Sequence, residues 1–241
     1  MDLRELAAWE GDLGEHWYYA SKACALEKLL HGIEFCSIAD IGAGSGFFSK
    51  HLLTRRQSAC TATCVDIHYD RERDEAVAHK VVSYRKTLGE TRADLYLLMD
   101  VLEHVEEDQS FLKSVVDGAP QGAYFVISVP AFQFLWSRHD VFLGHFRRYS
   151  LSEIGNVAAH AGLTIRTSCY YFGAVFPVAA AMRLIQRLVP APAERAASDM
   201  RPVPRVVNSL LRWTCKAEER VFMMNRAFGL TAFVLASVPP R

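Results

Sequence analysis

Ser37-Ile-Ala-Asp-Ile-Gly-Ala-Gly-Ser-Gly-Phe-Phe-Ser-Lys50 governs how the rest of the chain is read, because it passes from a buried strand through a glycine turn into a helix. Ile38 and Ile41 flank Asp40 in a short apolar run, and Gly42, Gly44 and Gly46 take alternate positions. Phe47, Phe48, Leu52 and Leu53 then recur at helical spacing. Glycines at every second position let the main chain adopt positive φ and approach a ligand without intervening Cβ atoms. The helix that follows aims its first N–H groups at an anion. Spacing separates the known glycine turns: a dinucleotide fingerprint needs glycine where this chain has Phe47, and a P-loop needs a Gly-Lys pair that the stretch lacks.

Outward from the turn, the elements alternate. Upstream, Trp17 to His31 carries apolar residues at helical intervals until Gly32. Downstream, the β-prone run Ala59 to Val65 ends at Asp66, 20 residues beyond Gly46. At that interval doubly wound sheets set a carboxylate that accepts the ribose hydroxyls of a nucleotide. The charged stretch Asp70 to His79 reads as a surface helix, and Val81 to Tyr84 as a third strand. Ala93 to Met99 is a buried strand that runs into Asp100-Val-Leu-Glu-His104. Asp108 to Val116 is a helix closed by Gly118, and Tyr124 to Val129 is a strand ended by Pro130. Ala131 to Tyr149, rich in aromatics and bases and without a period, is a long loop of the kind that carries sites in open α/β sheets. Ser150-Leu-Ser-Glu153 is a capping box for a helix that stops at Gly162. Leu163 to Ser168 and Leu230 to Ser237 are the last two strands, the final one antiparallel.

Asp40-x-Gly42-x-Gly44-x-Gly46 resembles the first motif of class I S-adenosylmethionine-dependent methyltransferases, and Asp100-Val-Leu-Glu-His104-Val resembles the D-V-L-E-H-V segment of many small-molecule members. Gly144-His145-x-Arg147-x-Tyr149-Ser150-x-x-Glu153 resembles a loop that recurs in that family before a helix. The resemblance covers roughly residues 17 to 170 and the last strand. It implies an α/β fold: a Rossmann-like doubly wound seven-stranded sheet with an antiparallel last strand and a helical insertion. The whole chain, 1–241, would then be one methyltransferase domain with the insertion at 173–229. The implied cofactor is S-adenosyl-L-methionine, held by Asp40, Gly42, Ala43, Gly44, Gly46, Asp66, Ile67, Asp100 and Val101. The family often sets an acidic residue after the third strand for the adenine amino group. Arg85-Lys86-Thr87-Leu88 offers none, so main-chain groups of Thr87 and Leu88 would serve. A helix such as Trp17 to His31, with Trp17, Tyr18 and Tyr19, commonly covers the cofactor in this family.

Methyl transfer from a sulfonium is an in-line displacement of an already activated group, so the protein chiefly aligns donor and acceptor in a dry pocket. No metal and no covalent intermediate is demanded, and no metal site is expected. The glycine turn would take the methionine carboxylate, and Asp40 or Asp100 would balance the ammonium or sulfonium. A general base is needed only for an acceptor that must lose a proton. His104 and His145 are the candidates, each also readable as a structural histidine. Trp136, Arg147 and Tyr149 lie in the acceptor-side loop, and Arg147 with Arg148 suits either an anionic acceptor or solvent. Two classes of function follow: methyl transfer to a small-molecule or lipid-linked acceptor, or a non-catalytic S-adenosylmethionine-binding or scaffold protein. A nicotinamide oxidoreductase is a distant third.

Composition narrows the partners. The 27 basic and 27 acidic side chains cancel, so no global field draws nucleic acid. Six cysteines without a C-x-x-C pair read as reduced thiols of a cytoplasmic protein, and Met-Asp-Leu-Arg-Glu-Leu has no signal-peptide character. The insertion reads as two helical blocks, Ala174 to Val189 and Val203 to Phe228, joined by a linker around Pro190, Pro192, Pro202 and Pro204. The first block is too short and too interrupted to span a bilayer. From Arg183 to Arg226 there are nine basic and four acidic residues. The insertion suits a lid over the acceptor pocket, a face resting on anionic lipid, or an extra helical layer; the lid is the favoured expectation.

Overall fold

The structure, a computed structural model, describes residues 11–188 and 203–240. The glycine stretch forms β1 (Ser37–Ile41) and α2 (Phe47–Arg55), preceded by α1 (Trp17–Leu29). There follow β2 (Thr61–Val65), β3 (Arg73–Val77), β4 (Lys80–Arg85), β5 (Leu95–Met99), α3 (Asp108–Gly118) and β6 (Tyr124–Pro130). The second half holds α4 (Arg138–Leu143), α5 (Leu151–His160), β7 (Thr164–Tyr171), α6 (Phe176–Leu188), α7 (Arg205–Glu218) and β8 (Thr231–Ser237). One sheet runs β3-β4-β2-β1-β5-β6-β8-β7. β4, β2, β1, β5 and β6 are parallel, while β8 is antiparallel to both its neighbours. This is the expected doubly wound sheet with its antiparallel last strand.

Burial on both faces explains the apolar runs. All five residues of β5 are buried, Leu95, Leu97 and Met99 on the face under α1 and α2, Tyr96 and Leu98 on the face under α3 and α5. The first face collects Leu26, Phe48, Leu52 and Phe233; the second collects Leu112, Phe125, Ile154 and Val157.

One stretch departs from expectation. Within Asp70 to His79 the chain forms the edge strand β3, joined to β4 through Ala78 and His79 at φ 49° and 64°, the positive values a two-residue hairpin requires. Cross-strand pairing overrides helix propensity there. The Arg73 guanidinium lies 3.7 Å from the Tyr84 ring centroid, Tyr84 Oη donates to Glu75 Oε2 at 3.0 Å, and Arg85 Nη2 donates to Asp74 Oδ1 at 2.8 Å. The sheet therefore has eight strands, the eighth an antiparallel edge on the side away from β8.

The strands turn sharply at one edge. Gly42 after β1, Asp100 after β5, Phe132 after β6 and Phe172 after β7 have φ of 65°, 58°, 60° and 63°. Three of the four are not glycine, and backbone strain of this kind collects at functional sites. β1, flanked by β2 on one side and β5 on the other, marks the switch point where such sheets open a crevice.

Between β7 and β8 lie α6 and α7; Pro190, Pro192 and Pro202 fall outside the described residues. Asn208 in α7 accepts from Trp17 N at 2.9 Å and donates to Glu15 O at 2.9 Å, which fastens α7 along α1. Arg183 in α6 donates to Leu135 O at 2.9 Å, beside the turn that follows β6. The second helical block ends at Glu218 rather than continuing to Phe228. The Glu218 carboxylate there accepts from Gly173 N and Ala174 N at 2.7 and 3.1 Å, and Phe222 drops into the core. Among the described residues no helix is long and apolar enough to cross a membrane.

Candidate active site

The glycine turn is built from positive φ at Gly42, Gly44 and Gly46, at 65°, 54° and 70°. A Cβ on Gly42 would stand 2.7 Å from Val101 Cγ2, so the two strand ends meet only because Gly42 has no side chain. Gly46 caps α2 without a side-chain acceptor, which leaves the first turn of that helix to a ligand. Ser45 Oγ is buried with no hydrogen-bond partner. Asp66, at the end of β2, accepts from Gly44 N at 3.1 Å through Oδ2 and from His68 N at 3.0 Å through Oδ1. His68 Nδ1 also lies 3.3 Å from Oδ1, so Oδ2 is the oxygen that keeps a lone pair for a further donor. Tyr69 Oη donates to Gly44 O at 2.7 Å and holds the turn from outside.

Two acids back this turn. Asp40 is buried and accepts from Ser49 Oγ at 2.8 Å. Burial outweighs that bond and pushes its carboxyl up to about 6. Asp100, bent by its positive φ, accepts from Lys22 Nζ and, at 3.2 Å, from Ser128 Oγ. Burial would raise the Asp100 carboxyl, but the Lys22 ammonium overcomes it and holds it below the ordinary range. Lys22 itself is fully buried on α1. Burial opposes its charge, yet Asp100 keeps its ammonium above its ordinary value.

Beside the Asp100 turn lies a braced pair of segments. The turn Leu102–His104 follows β5, and the loop after α4 carries His145. Phe146 N donates to Glu103 O at 2.7 Å, and Tyr149 Oη donates to Leu102 O at 3.1 Å and to Asp108 Oδ2 at 2.7 Å. The rings of His104 and His145 stand nearly perpendicular with centroids 4.6 Å apart. His145 Nδ1 lies 2.9 Å from Asp140 Oδ1, and Arg148 grips Asp140 through Nε at 2.7 Å and Nη2 at 3.0 Å. Burial alone would raise the Asp140 carboxyl; the hydrogen bond from His145 and the Arg148 guanidinium hold it far below the usual range. Glu103 is buried, and desolvation, then the Asp100 carboxylate, push its carboxyl well above the usual range.

Asp40, Gly42, Ala43, Gly44, Gly46, Asp66, Asp100, Val101, His104 and His145 thus gather at one edge of the sheet. Ile67, 77% exposed, follows Asp66, and Thr87 and Leu88 follow β4 at the same edge. Trp136, half-buried, lies just beyond the turn after β6. Arg147 and Tyr149, expected to touch the acceptor, are committed elsewhere. Arg147 donates to Glu106 O at 2.6 Å and pairs with Asp108 at 3.3 Å, and the Tyr149 hydroxyl is spent on Leu102 and Asp108. Both brace the Leu102–His104 turn from behind. Arg148 is buried, whereas Arg147 keeps 35% of its side chain exposed while making these bonds.

Lys22, Glu103 and Asp140 were not picked out from the sequence, and Arg148 was read only as an acceptor-binding or solvated arginine. A signal existed for the first three. Lys22 falls on the same helical face as Leu26 and Leu29, where a lone lysine implies a buried partner. Glu103 sits inside the Asp100-Val-Leu-Glu-His104 run, and Asp140 closes the capping box Ser137-x-x-Asp140. At the opposite edge of the sheet, a depression of about 500 Å³ is lined by Glu34, Cys36, Asp94 and Tyr124, and Asp94 there is occupied by Cys36 N, Ser37 N and Ser37 Oγ.

A methyltransferase domain family matches residues 15–168, more than half of the 241-residue chain. The chain belongs to that family. It is an S-adenosylmethionine-dependent methyltransferase. The matched span holds the glycine turn, Asp66, the Asp100 turn and the His145 loop. No curated protein matches the chain. A solved structure described as a candidate methyltransferase of Bacillus halodurans C-125 resembles it at a TM-score of 0.55 and 11% identity, covering 90% of this chain and 99% of that one. A candidate sarcosine dimethylglycine methyltransferase of Galdieria sulphuraria gives 0.53 and 12%, covering 91% and 85%. The cyclase SpnF gives 0.54 and 14%, covering 97% and 86%. At these identities the likenesses concern the fold alone; the family match concerns the activity. The methyltransferase's residues also fit the donor: three positive-φ glycines, an uncapped helix N-terminus, an unpartnered Ser45 hydroxyl and an aspartate whose Oδ2 accepts a single bond.

Proposed function

We propose that this methyltransferase modifies a small-molecule acceptor that carries a lipid-linked or otherwise apolar part and is taken up at a membrane surface on the cytoplasmic side. The observation that carries this reading is the outward apolar stripe on both helices between β7 and β8. Val206, Leu210 and Trp213 on α7 are 81%, 61% and 70% exposed, and Val178, Met182 and Ile185 on α6 are 66%, 56% and 60% exposed. Arg205, Arg212 and Lys216 flank the α7 stripe, the arrangement of a helix lying on anionic lipid. A lid would turn these side chains inward over the pocket, so their exposure favours the surface reading over the lid. Cysteines that stand as free thiols support a reducing compartment.

S-adenosylmethionine, when bound, supplies a methyl group activated by its sulfonium charge. Asp66 would accept the ribose hydroxyls, and Ile67 with main-chain groups of Thr87 and Leu88 would hold the base. Gly42, Ala43, Gly44 and Gly46 take the carboxylate at the start of α2, and Asp40 and Asp100 balance the positive charge, with Val101 closing the turn. His104, His145 and Trp136 face the acceptor. Asp140 fixes the tautomer of His145 by accepting from Nδ1, which leaves Nε2 for the acceptor side.

Co-sedimentation with lipid vesicles tests the surface reading. The protein is expected to pellet with phosphatidylglycerol vesicles and remain in solution with phosphatidylcholine alone. The double substitution Leu210→Glu, Trp213→Glu should abolish pelleting while S-adenosylmethionine binding is kept. No pelleting of the unmodified protein on anionic vesicles would return the insertion to a lid or an extra layer and the acceptor to bulk water.

A further inference from the structure

Glu103, His104 and His145 each offer a ligand atom, and these atoms lie within 4.8 Å of one another. Glu103 is 1% exposed, and its Oε2 is buried with no hydrogen-bond partner. A carboxylate oxygen in that condition costs a few kcal/mol unless something positive or a donor meets it. The cluster is also supported from behind in the way metal-binding imidazoles are. His145 gives its Nδ1 side to Asp140, and Asp140 is fixed by two bonds from Arg148, by Ser137 N at 2.7 Å and by Ser137 Oγ at 3.0 Å. That leaves Nε2 of His145 as the atom turned toward the cluster. The two segments that carry the ligands are locked in register by the Phe146 to Glu103 main-chain bond and by Tyr149 on Leu102.

We propose that Glu103, His104 and His145 bind one divalent transition-metal ion on the acceptor side of the site, and that the ion holds the acceptor through an oxygen donor. Two imidazoles and one carboxylate suit a borderline ion such as Zn²⁺ or Mn²⁺, and three protein ligands leave coordination positions open. This departs from the expectation that the transfer needs no metal. Asp100 and Val101, one to two residues before the Leu102–His104 turn, join it to the glycine turn through the Val101 contact on Gly42, so the cluster borders the donor site. The ion's part in the reaction is Lewis-acid activation of an acceptor hydroxyl. The hydroxyl proton leaves to solvent, the oxygen lone pair forms the O–CH₃ bond, and the electron pair of the S–CH₃ bond returns to sulfur. Nothing is oxidised or reduced.

The metal site stands on the cluster geometry alone; its use in catalysis rests on the methyl-transfer reading, and the test separates the two. Chelator-treated protein is titrated with Mn²⁺ and with Zn²⁺ by calorimetry, and with S-adenosylmethionine in parallel. One ion per chain is expected, with affinity reduced about tenfold or more in Glu103→Gln, His104→Ala and His145→Ala. The double substitution Cys36→Ser, Cys60→Ser, which removes two exposed thiols, should leave it unchanged. S-adenosylmethionine affinity retained in Glu103→Gln shows that the variant is folded; where it is not, His104→Ala, at a partly exposed position, carries the same comparison. Absence of saturable binding at millimolar metal, or equal affinity in all three ligand variants, overturns the site. A protein that takes the ion but not S-adenosylmethionine would keep the site and sink the transfer reading.

Discussion

Asp40 shows how one residue couples the turn to its ligand. Its carboxyl is held up to about 6 because burial outweighs the single hydrogen bond from Ser49. Its folded-state value lies above the unfolded one, so the native state binds the extra proton and stability rises as pH falls. From about pH 8 to about pH 5 this group should add about 1 kcal/mol, and that component should vanish in Asp40→Asn. Urea unfolding at a series of pH values reads the difference; equal slopes for the two proteins would remove Asp40 as its source. Binding a cationic donor beside Asp40 should also expel its proton, so calorimetry near pH 6 in buffers of different ionisation enthalpy should record proton release that Asp40→Asn lacks. Arg147 and Tyr149 teach the reverse lesson at this scale. A motif names residues but not where their polar atoms point, and these two point into the support of the turn.

Among elements, the segment from Ala131 to Tyr149, expected as a loop, folds around the short helix α4 and is held by a buried ion pair. Asp140 and Arg148 are both buried and face each other in a two-bond pair that also aligns His145. Arg148→Leu would leave Asp140 charged and buried without its guanidinium partner, though still bonded by His145 and Ser137, at an expected cost of about 3–5 kcal/mol, much of it recovered by adding Asp140→Asn. Denaturant unfolding of the two variants checks this, and a loss below about 1 kcal/mol for Arg148→Leu would show the pair to be a bystander. Most elements were legible in the sequence, since periodicity and capping follow from local rules. The helices at 17–29, 108–118 and 151–160 and the apolar strands fall where spacing put them. β3 was not legible, because its identity depends on cross-strand partners, Tyr84 and Arg85, about ten residues away. The Asp140–Arg148 pair and the Lys22–Asp100 pair were illegible for a related reason: each joins residues whose proximity only the loop or the tertiary fold creates.

At the scale of the whole molecule, the sheet brings the ends of β1, β2, β4, β5 and β6 to a single edge, so the glycine turn and the His145 loop share that edge although 105 positions separate Asp40 from His145. The turn and its approach to Asp66 were legible because their spacing is short and set by one βαβ unit. The arrangement of His104 and His145 was not, since the segment from Ala131 to Tyr149 has no period. Methyl transfer requires the donor site first of all. Calorimetric titration of the protein with S-adenosylmethionine should give one site per chain, and Asp66→Ala should weaken it about 10- to 100-fold, the loss expected for hydrogen bonds to a charged carboxylate. No binding by the unmodified protein, or an unchanged dissociation constant in Asp66→Ala, would contradict it.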